Sequence, residues 1–223
     1  MSSSRASARE TAAGAPFVSA VILAAGSSAR MGQPKQLLTF RRKPILQHVL
    51  DAAADAGLDE IVVVLGHQAE KIRAAVSLPP GARAVLNPDH ASGQASSLRA
   101  GLLAAGDESR AALVLLGDEL GVGPARMRAV LIAWERAGTP AARAEYAGSP
   151  GHPVVLGRSV WEALASLRGD EGARAAAVRK EEFMHKSVRR VGRKLARGPH
   201  TDLSNLGRFE VVRDGHSIPA AEF

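Results

Sequence analysis

Apolar and polar positions follow two patterns along this chain, one typical of strands and one typical of helices. Four short apolar runs predict buried strands over residues 18–25, 60–65, 83–86 and 111–116. Apolar residues recur at helical spacing over residues 43–56, 68–76 and 124–136. Strands that alternate with helices in this rhythm favour a parallel sheet with right-handed crossovers. The pattern therefore predicts an α/β fold whose ligands collect beyond the carboxyl ends of the strands.

Length and composition set the number of domains. With 223 residues, of which 46% are hydrophobic, the chain fits one α/β domain, which we place at residues 17–213. Residues 1–16 contain no apolar segment typical of a secretory signal and predict a disordered tail in preference to a transit peptide. Residues 214–223 are expected to form a C-terminal tail. No apolar run approaches the roughly 20 residues that span a bilayer, and the absence of cysteine is compatible with the cytoplasmic location that we expect.

The formal charge of +7 suggests an anionic partner such as a nucleotide, a phosphorylated metabolite or a nucleic acid. Much of the excess lies between Arg179 and Arg197, a segment that offers Phe183 as its one aromatic residue. A nucleic-acid-binding segment is expected to add stacking aromatics or a recognised motif, so we regard nucleic acid as an unlikely partner. The default interpretation is a solvated basic face, with a site for a phosphorylated substrate as the alternative.

The loop after the first predicted strand is the strongest candidate for phosphate binding. Small residues that include Gly26, Ser27 and Ser28 are followed by two cations, Arg30 and Lys35. Unhindered backbone N–H groups in such a loop attract phosphate oxygens. Arginine offers a planar fork and lysine a compact charge to the same ligand. The loop matches neither of the common glycine-rich nucleotide fingerprints, and the alternative is an ordinary loop with surface cations.

A carboxylate follows the fourth predicted strand at the same edge of the sheet. Asp118 comes directly after Gly117, where it could hold Mg²⁺, which prefers one or two carboxylates together with substrate phosphates. The alternative is a turn or helix-capping aspartate. Glu119 either adds a second carboxylate to this site or faces solvent.

Two further polar segments are less specific by themselves. Residues 87–102, NPDHASGQASSLRAGL, place a donor-rich loop before a helix, so Ser96 or Ser97 could contact a base or a phosphate. The alternative is a polar loop with a capped helix. The glycine and proline density of residues 146–153 predicts a tight exposed loop that runs into a strand. A lone histidine such as His152 is usually structural.

These motifs together resemble one family. LAAGSSARMGQPKQLL, residues 23–38, is similar to the signature LAAGxSxRMGxPKxLL of the MobA-like nucleotidyltransferases, and within it to the molybdenum cofactor cytidylyltransferases. The resemblance implies a three-layer α/β/α, Rossmann-like fold with a mostly parallel central sheet. It implies that Arg30, Lys35 and Asp118 are catalytic. It assigns nucleotide binding to Leu23, Ala24, Ala25, Gly26, Ser27, Ser28, Asn87, Gly93 and Ser97.

The resemblance extends to the acceptor side. Residues 146–156 are similar to Y-x-G-x-x-GHP-V-L, and residues 167–174 to LxGDxGAR, which implies acceptor binding by His152, Asp170 and Arg174. The pairing of these two motifs favours the molybdopterin branch. The chain departs from the family at His90 and Gln94, which stand where the family has an aromatic residue and methionine.

The metal site departs from the family as well. Glu119-Leu120 replaces the Gln-Pro of LLGDQP. Residues 202–209 align with DIDTPEDL, so that Asp202 is retained while Ser204 stands in place of the second, metal-binding aspartate. We therefore take Asp118 and Asp202 as the candidate metal ligands.

The implied function is transfer of a nucleoside monophosphate. The expected substrates are CTP, or another NTP, and a phosphorylated acceptor such as molybdopterin, with Mg²⁺ as cofactor and pyrophosphate as product. A molybdoenzyme or its chaperone is a further candidate partner. Two alternatives stay open: an enzyme of the same fold with another base or acceptor, and a relative that binds a nucleotide without catalysis.

Overall fold

The computed structural model describes residues 17–27, 32–146, 149–165, 212–213 and 216–217. Its helices are α1 Ile45–Asp55, α2 Ala69–Ala75, α3 Gln94–Ala104, α4 Pro124–Ala137 and α5 Trp161–Ala165. Its strands are β1 Val18–Ala24, β2 Thr39–Phe40, β3 Lys43–Pro44, β4 Glu60–Leu65, β5 Ala82–Leu86, β6 Ala111–Leu116, β7 Ala141–Tyr146, β8 Ser149–Gly157, β9 Val212–Arg213 and β10 His216–Ser217. No helix in these ranges is long and apolar enough to cross a membrane.

A six-stranded sheet forms the centre, in the order β5-β4-β1-β6-β8-β7. Strands β5, β4, β1 and β6 are parallel to one another, as predicted, while β8 runs antiparallel to both β6 and β7. Parallel strands buried on both faces read as continuous apolar runs, which is why β1, β4 and β6 could be recognised in the sequence. The prediction of a buried strand over 83–86 is corrected, because β5 lies at the edge of the sheet and is only partly buried, with Leu86 65% exposed. The prediction of a mostly parallel α/β sheet is confirmed.

Helices cover both faces of the sheet. Successive side chains of a strand point to opposite faces. In β1, Ile22 belongs to the apolar cluster that includes Leu50 of α1 and Met127 of α4, whereas Val21 belongs to the cluster that includes Leu102 of α3. All five side chains are buried. The predicted three-layer α/β/α arrangement is therefore confirmed.

Two predicted boundaries are corrected. The helix predicted over 43–56 begins at Ile45, because Lys43–Pro44 pairs with Thr39–Phe40 in a short antiparallel hairpin. The exposed loop predicted over 146–153 is largely strand, since β8 begins at Ser149. The first half of β8 pairs with β7 alone, because its ladder with β6 starts only at Val154. Prolines lack a backbone donor and are tolerated where no second ladder is needed.

A buried polar cluster lies at the opposite, amino-terminal edge of the sheet. Glu60, the first residue of β4, accepts hydrogen bonds from the Ser19 hydroxyl at 2.5 Å and from the Gly106 N–H at 2.9 Å, and it is paired with Arg83. Burial alone would raise the pKa of the Glu60 carboxyl, but these hydrogen bonds and the Arg83 charge outweigh it and hold the pKa below its ordinary value. The cluster is structural and lies away from the predicted phosphate loop.

Candidate active site

The predicted phosphate loop begins where β1 leaves the sheet. Leu23, Ala24 and Ala25 are buried at 8%, 0% and 3% exposure, whereas Gly26 and Ser27 are exposed. The side chains of the first three residues belong to the core, so any contact that they make with a nucleotide has to come from the main chain. Gly26 has open space around its Cα, since a Cβ added there would meet nothing within 4 Å. The accessible part of the loop therefore starts at Gly26.

Lys35 is held near the end of β1 by a hydrogen bond of the next residue, Gln36. It begins a short 3₁₀ helix, Lys35–Leu37, in which Lys35 is exposed and Gln36 is buried at 4% exposure. The Gln36 side chain donates a hydrogen bond from Nε2 to the carbonyl oxygen of Ala24 at 3.2 Å. Lys35 is thus one residue away from a group that is bonded to the last residue of β1.

The turn that contains Asp118 is also hydrogen-bonded to the end of β1, here through the main chain. The Gly117 N–H donates to the carbonyl oxygen of Leu23 at 2.9 Å, and Asp118 follows as an exposed residue. A Cβ added to Gly117 would lie 2.9 Å from Ala24 Cβ and 3.1 Å from Leu46 Cδ1, so the turn packs directly on β1. The structure therefore brings the turns that carry Lys35 and Asp118 to consecutive residues of one strand end.

The segment before α3 is organised around a buried amide. Asn87 is 3% exposed, and its Nδ2 donates to Ser96 Oγ at 2.8 Å and to Ser97 Oγ at 3.1 Å. Its Oδ1 accepts from the Asp89 N–H at 3.0 Å. Gly93, with φ of +109°, precedes the first residue of α3. Asn87 and Ser97 therefore hold each other and shape this segment, and their predicted contact with a nucleotide stays a prediction.

Two histidines lie beside the loop: His90, which the sequence showed as a departure within the nucleotide motif, and His67, which the sequence did not indicate. The His67 N–H donates to the carbonyl oxygen of Ala25 at 3.3 Å, and its ring centroid is 6.2 Å from that of His90. A Cβ added to Gly66 would lie 2.5 Å from His90 Cβ and 2.8 Å from Ala25 Cβ. The one sequence feature that could have indicated this close packing is Gly66, which directly follows the buried strand β4.

On the other side of Asp118, the turn meets the hairpin of β7 and β8. Glu119 Oε2 lies 3.5 Å from Nδ1 of His152, so this carboxylate faces neither open solvent nor Asp118 alone. Burial raises the pKa of the Glu119 carboxyl, the neighbouring Asp118 charge raises it further, and Arg126 offsets these effects only in part. Tyr146 donates its hydroxyl to the His152 carbonyl, and burial raises the pKa of Tyr146, which keeps this donor protonated.

The donor set for a metal is small in the part of the chain that the structure describes. No group of three or more His, Asp or Glu residues lies close enough there to hold an ion. An exposed carboxylate such as Asp118 still fits magnesium, which is often held by one or two carboxylates and by substrate phosphates. Five predicted site residues lie outside the described ranges: Ser28, Arg30, Asp170, Arg174 and Asp202.

Comparison with known proteins identifies the family. The profile of the MobA-like NTP transferase domain matches residues 20–183. This chain belongs to the MobA-like NTP transferase family. The resemblance seen in the sequence motifs is thereby confirmed, and the protein is a nucleotidyltransferase by family.

Individual relatives span most of the chain. Nicotine blue oxidoreductase of Paenarthrobacter nicotinovorans is 34% identical over 166 residues, which are 71% of this chain and 80% of the relative. The crystal structure of Rv0371c from Mycobacterium tuberculosis is 35% identical, with a TM-score of 0.65, and the match covers 74% of this chain and 82% of the other. Rv0371c has also been crystallised with manganese, with a TM-score of 0.62 to this chain at 34% identity over 73% of this chain and 82% of the other. A nucleotidyl transferase from Methanothermobacter (Mth528) has a TM-score of 0.61 at 25% identity, covering 77% and 85%.

Proposed function

We propose that this member of the family transfers CMP from CTP to a phosphorylated acceptor such as molybdopterin and releases pyrophosphate. The observation that carries the proposal is the attachment of two turns to one strand end. Gln36 is hydrogen-bonded to Ala24, and Gly117 is hydrogen-bonded to Leu23. Lys35 and Asp118, the sequence neighbours of Gln36 and Gly117, are therefore attached to adjacent residues of β1. A cation and a carboxylate at one edge of the sheet suit a triphosphate and its counter-ion.

Different residues would bind the two substrates. The N–H groups after Ala25, with Arg30 and Lys35, would bind the β- and γ-phosphates, and His152 would face the acceptor. An oxygen of the acceptor phosphate forms the new bond to the α-phosphorus, and the bond from that phosphorus to the β-phosphate oxygen breaks. Pyrophosphate departs with the electron pair. Because the attacking phosphate is already an anion, the step needs no general base.

A divalent ion is part of the proposal. Asp118 and Asp202 would hold it, and when bound it would neutralise charge on the α-phosphate and on the acceptor. The manganese complex of Rv0371c supports a divalent ion in this family, and magnesium is our proposal for this chain.

The choice of CTP and of molybdopterin depends on sequence motifs. The LAAG start at Leu23 and the pairing of the GHP motif at His152 with GDEGAR at 169–174 support it. The departures at His90, Gln94 and Ser204 lie in the motifs for the nucleotide and the metal, so base preference has to be measured directly.

The decisive experiment removes the ammonium group of Lys35. Pyrophosphate release is followed with molybdopterin as acceptor and with each of the four NTPs in turn. Loss of one group that stabilises the transition state typically costs about 10²–10³ in rate, which is the loss that we expect for Lys35→Ala with CTP. Lys71→Ala, which changes an exposed lysine on α2, is the matched control. Unchanged turnover in Lys35→Ala contradicts the proposed role.

A second candidate function is favoured by one relative. The match to nicotine blue oxidoreductase supports a redox reaction in place of transfer. Incubation with nicotine blue and a reduced nicotinamide nucleotide, followed by visible absorbance, separates the two. A CTP-dependent thermal shift that requires magnesium favours the transferase. A nucleotide shift that is indifferent to metal favours a relative that binds without catalysis.

A further inference from the structure

A closed ring of contacts joins the turn that carries Asp118 to the strand that carries His152. It starts at Glu119, passes through His152 and Tyr146 to Arg126, and returns to the same turn at Gly121. We call it the acceptor-side ring, and its members are Glu119, Gly121, Arg126, Tyr146 and His152. The ring holds the main chain and the imidazole of His152 by different means.

The main chain of His152 is held by Tyr146 and its neighbours. The Tyr146 hydroxyl donates to the His152 carbonyl, and its aromatic ring lies so close to Gly151 that an added Cβ would be 2.5 Å from Cε2. The Arg126 guanidinium lies 5.0 Å from the centroid of the Tyr146 ring, and Nη1 donates to the Gly121 carbonyl at 2.6 Å. These contacts fix where residue 152 sits without acting on its side chain.

The imidazole is approached by Glu119. Its Oε2 is 3.5 Å from Nδ1, an ion-pair distance slightly longer than a direct hydrogen bond. The Glu119 side chain is 33% exposed and the His152 side chain is 25% exposed, so solvent screens the pair only in part. A carboxylate beside one ring nitrogen favours the proton on that nitrogen and thereby sets which nitrogen accepts. Glu119 therefore acts on both the orientation and the tautomer of the ring.

We propose that Glu119 is a positioning residue, which fixes the His152 ring and through it the place of the phosphorylated acceptor beside Asp118. This inference rests on the proposed transfer function. Because Glu119 stands where the family motif has glutamine, Glu119→Gln keeps an oxygen for Nδ1 and serves as the conservative variant. Glu119→Ala removes the contact.

The first measurement does not require turnover. The ¹⁵N spectrum of the His152 side chain is recorded at about pH 8.5, well above the ordinary histidine pKa of about 6.5, so that the tautomer is observed. We expect Nδ1–H in the unchanged protein and in Glu119→Gln, and a shift toward Nε2–H in Glu119→Ala. Thermal unfolding of the three proteins checks that the fold is retained.

The second measurement separates the two substrates by steady-state kinetics with CTP and molybdopterin. Loss of the partner that orients a metal-binding histidine typically costs about tenfold or more. We apply the same scale to His152 and expect the KM for the acceptor to rise by about tenfold in Glu119→Ala. In Glu119→Ala the KM for CTP should stay within about twofold of the parent value, because the contact between Glu119 and His152 does not involve the triphosphate loop. In Glu119→Gln the KM for the acceptor should remain close to that of the parent. Glu135→Ala, an exposed glutamate on α4, is the matched control.

The double variant Glu119→Ala/His152→Ala decides whether the two residues act together. If Glu119 works through His152, the double variant has the acceptor KM of His152→Ala alone. Additive losses, or a tautomer that does not change in Glu119→Ala, overturn the inference. Absence of transfer by the unchanged protein contradicts the proposed function instead, and the tautomer comparison then still decides the role of Glu119.

Discussion

Removing the charge of Glu60 tests whether the amino-terminal edge of the sheet is held by a buried carboxylate. Oε2 of Glu60 accepts from both the Ser19 hydroxyl and the Gly106 N–H, and Oε1 is paired with Arg83. In Glu60→Gln the amide oxygen can take the place of Oε2, so its buried NH₂ group then faces the Arg83 guanidinium, which is itself a donor. A buried donor left without its acceptor costs about 1–3 kcal/mol. The lost ion pair adds little, because Arg83 is 48% exposed and solvent screens it. We therefore expect destabilisation of about 2 kcal/mol at neutral pH.

Thermal and urea unfolding measure this change. For a domain of this size, 1 kcal/mol corresponds to roughly 2–4 °C, so the midpoint of Glu60→Gln should fall by about 4–8 °C. Glu108→Gln, which removes an exposed carboxylate from the same loop as Gly106, is the control and should unfold like the parent. Equal stability of Glu60→Gln and the parent at pH 7 refutes the reasoning.

The pH dependence supplies a second check. The pKa of Glu60 is lower in the folded than in the unfolded state, so its stabilisation is complete above the unfolded-state pKa of about 4.3. That stabilisation disappears as the pH falls through the folded-state pKa. Glu60→Gln lacks the titration, so the difference between the two proteins should shrink as the pH falls below about 4.3. A difference that stays constant down to pH 3 would count against the carboxylate.

Two glycines make separate predictions about the site. Gly117→Ala places a methyl 2.9 Å from Ala24 Cβ and should lower stability by about 1–3 kcal/mol and weaken nucleotide transfer, because the turn with Asp118 has to move. Gly123→Ala, where an added Cβ meets nothing within 4 Å, should leave transfer unchanged and lower stability by no more than about 1 kcal/mol, because glycine caps α4 better than alanine does. Gly66→Ala should destabilise by a similar amount, about 1–3 kcal/mol, since the methyl would lie 2.5 Å from His90 Cβ, and differential scanning fluorimetry with and without CTP measures both effects.

Strands β1, β4 and β6 could be predicted because burial on both faces leaves a continuous apolar run, whereas the partly exposed edge strand β5 was recognised from its short apolar segment alone. Strand β7 could not, since its sequence, AARAEY, holds alanine and two charged residues in place of β-branched ones. It becomes a strand by pairing with β8, which is a tertiary effect that a local pattern does not carry. The same pairing turned the predicted loop before His152 into strand.

The sequence predicted the edge of the sheet at which Lys35 and Asp118 lie, but only some of the contacts around them. The carboxyl-edge positions of Lys35 and Asp118 follow from topology, because each comes soon after a parallel strand. The contact between Glu119 and His152 joins residues far apart in sequence, and no spacing rule connects them. Asn87 could be identified as a polar residue at the right edge, but its burial against Ser97 depends on how α3 packs.

The end of β1 explains why the segments that carry the proposed catalytic groups meet there. Three successive carbonyls, those of Leu23, Ala24 and Ala25, bind the Gly117 N–H, the Gln36 side chain and the His67 N–H, each from a different segment. Buried carbonyls at a strand end need partners, so each one recruits a neighbouring turn.

The side chains at this strand end are constrained by the same packing. Ala24 Cβ lies against Gly117, and Ala25 Cβ lies against Gly66 on the other side. A larger residue at position 24 would push away the turn with Asp118, and one at position 25 would push away the segment with Gly66 and His67. The small residues of the LAAG motif are thus required by packing before any nucleotide binds. A motif that resembles a ligand signature therefore also encodes the packing that brings the turn with Asp118 to the end of β1.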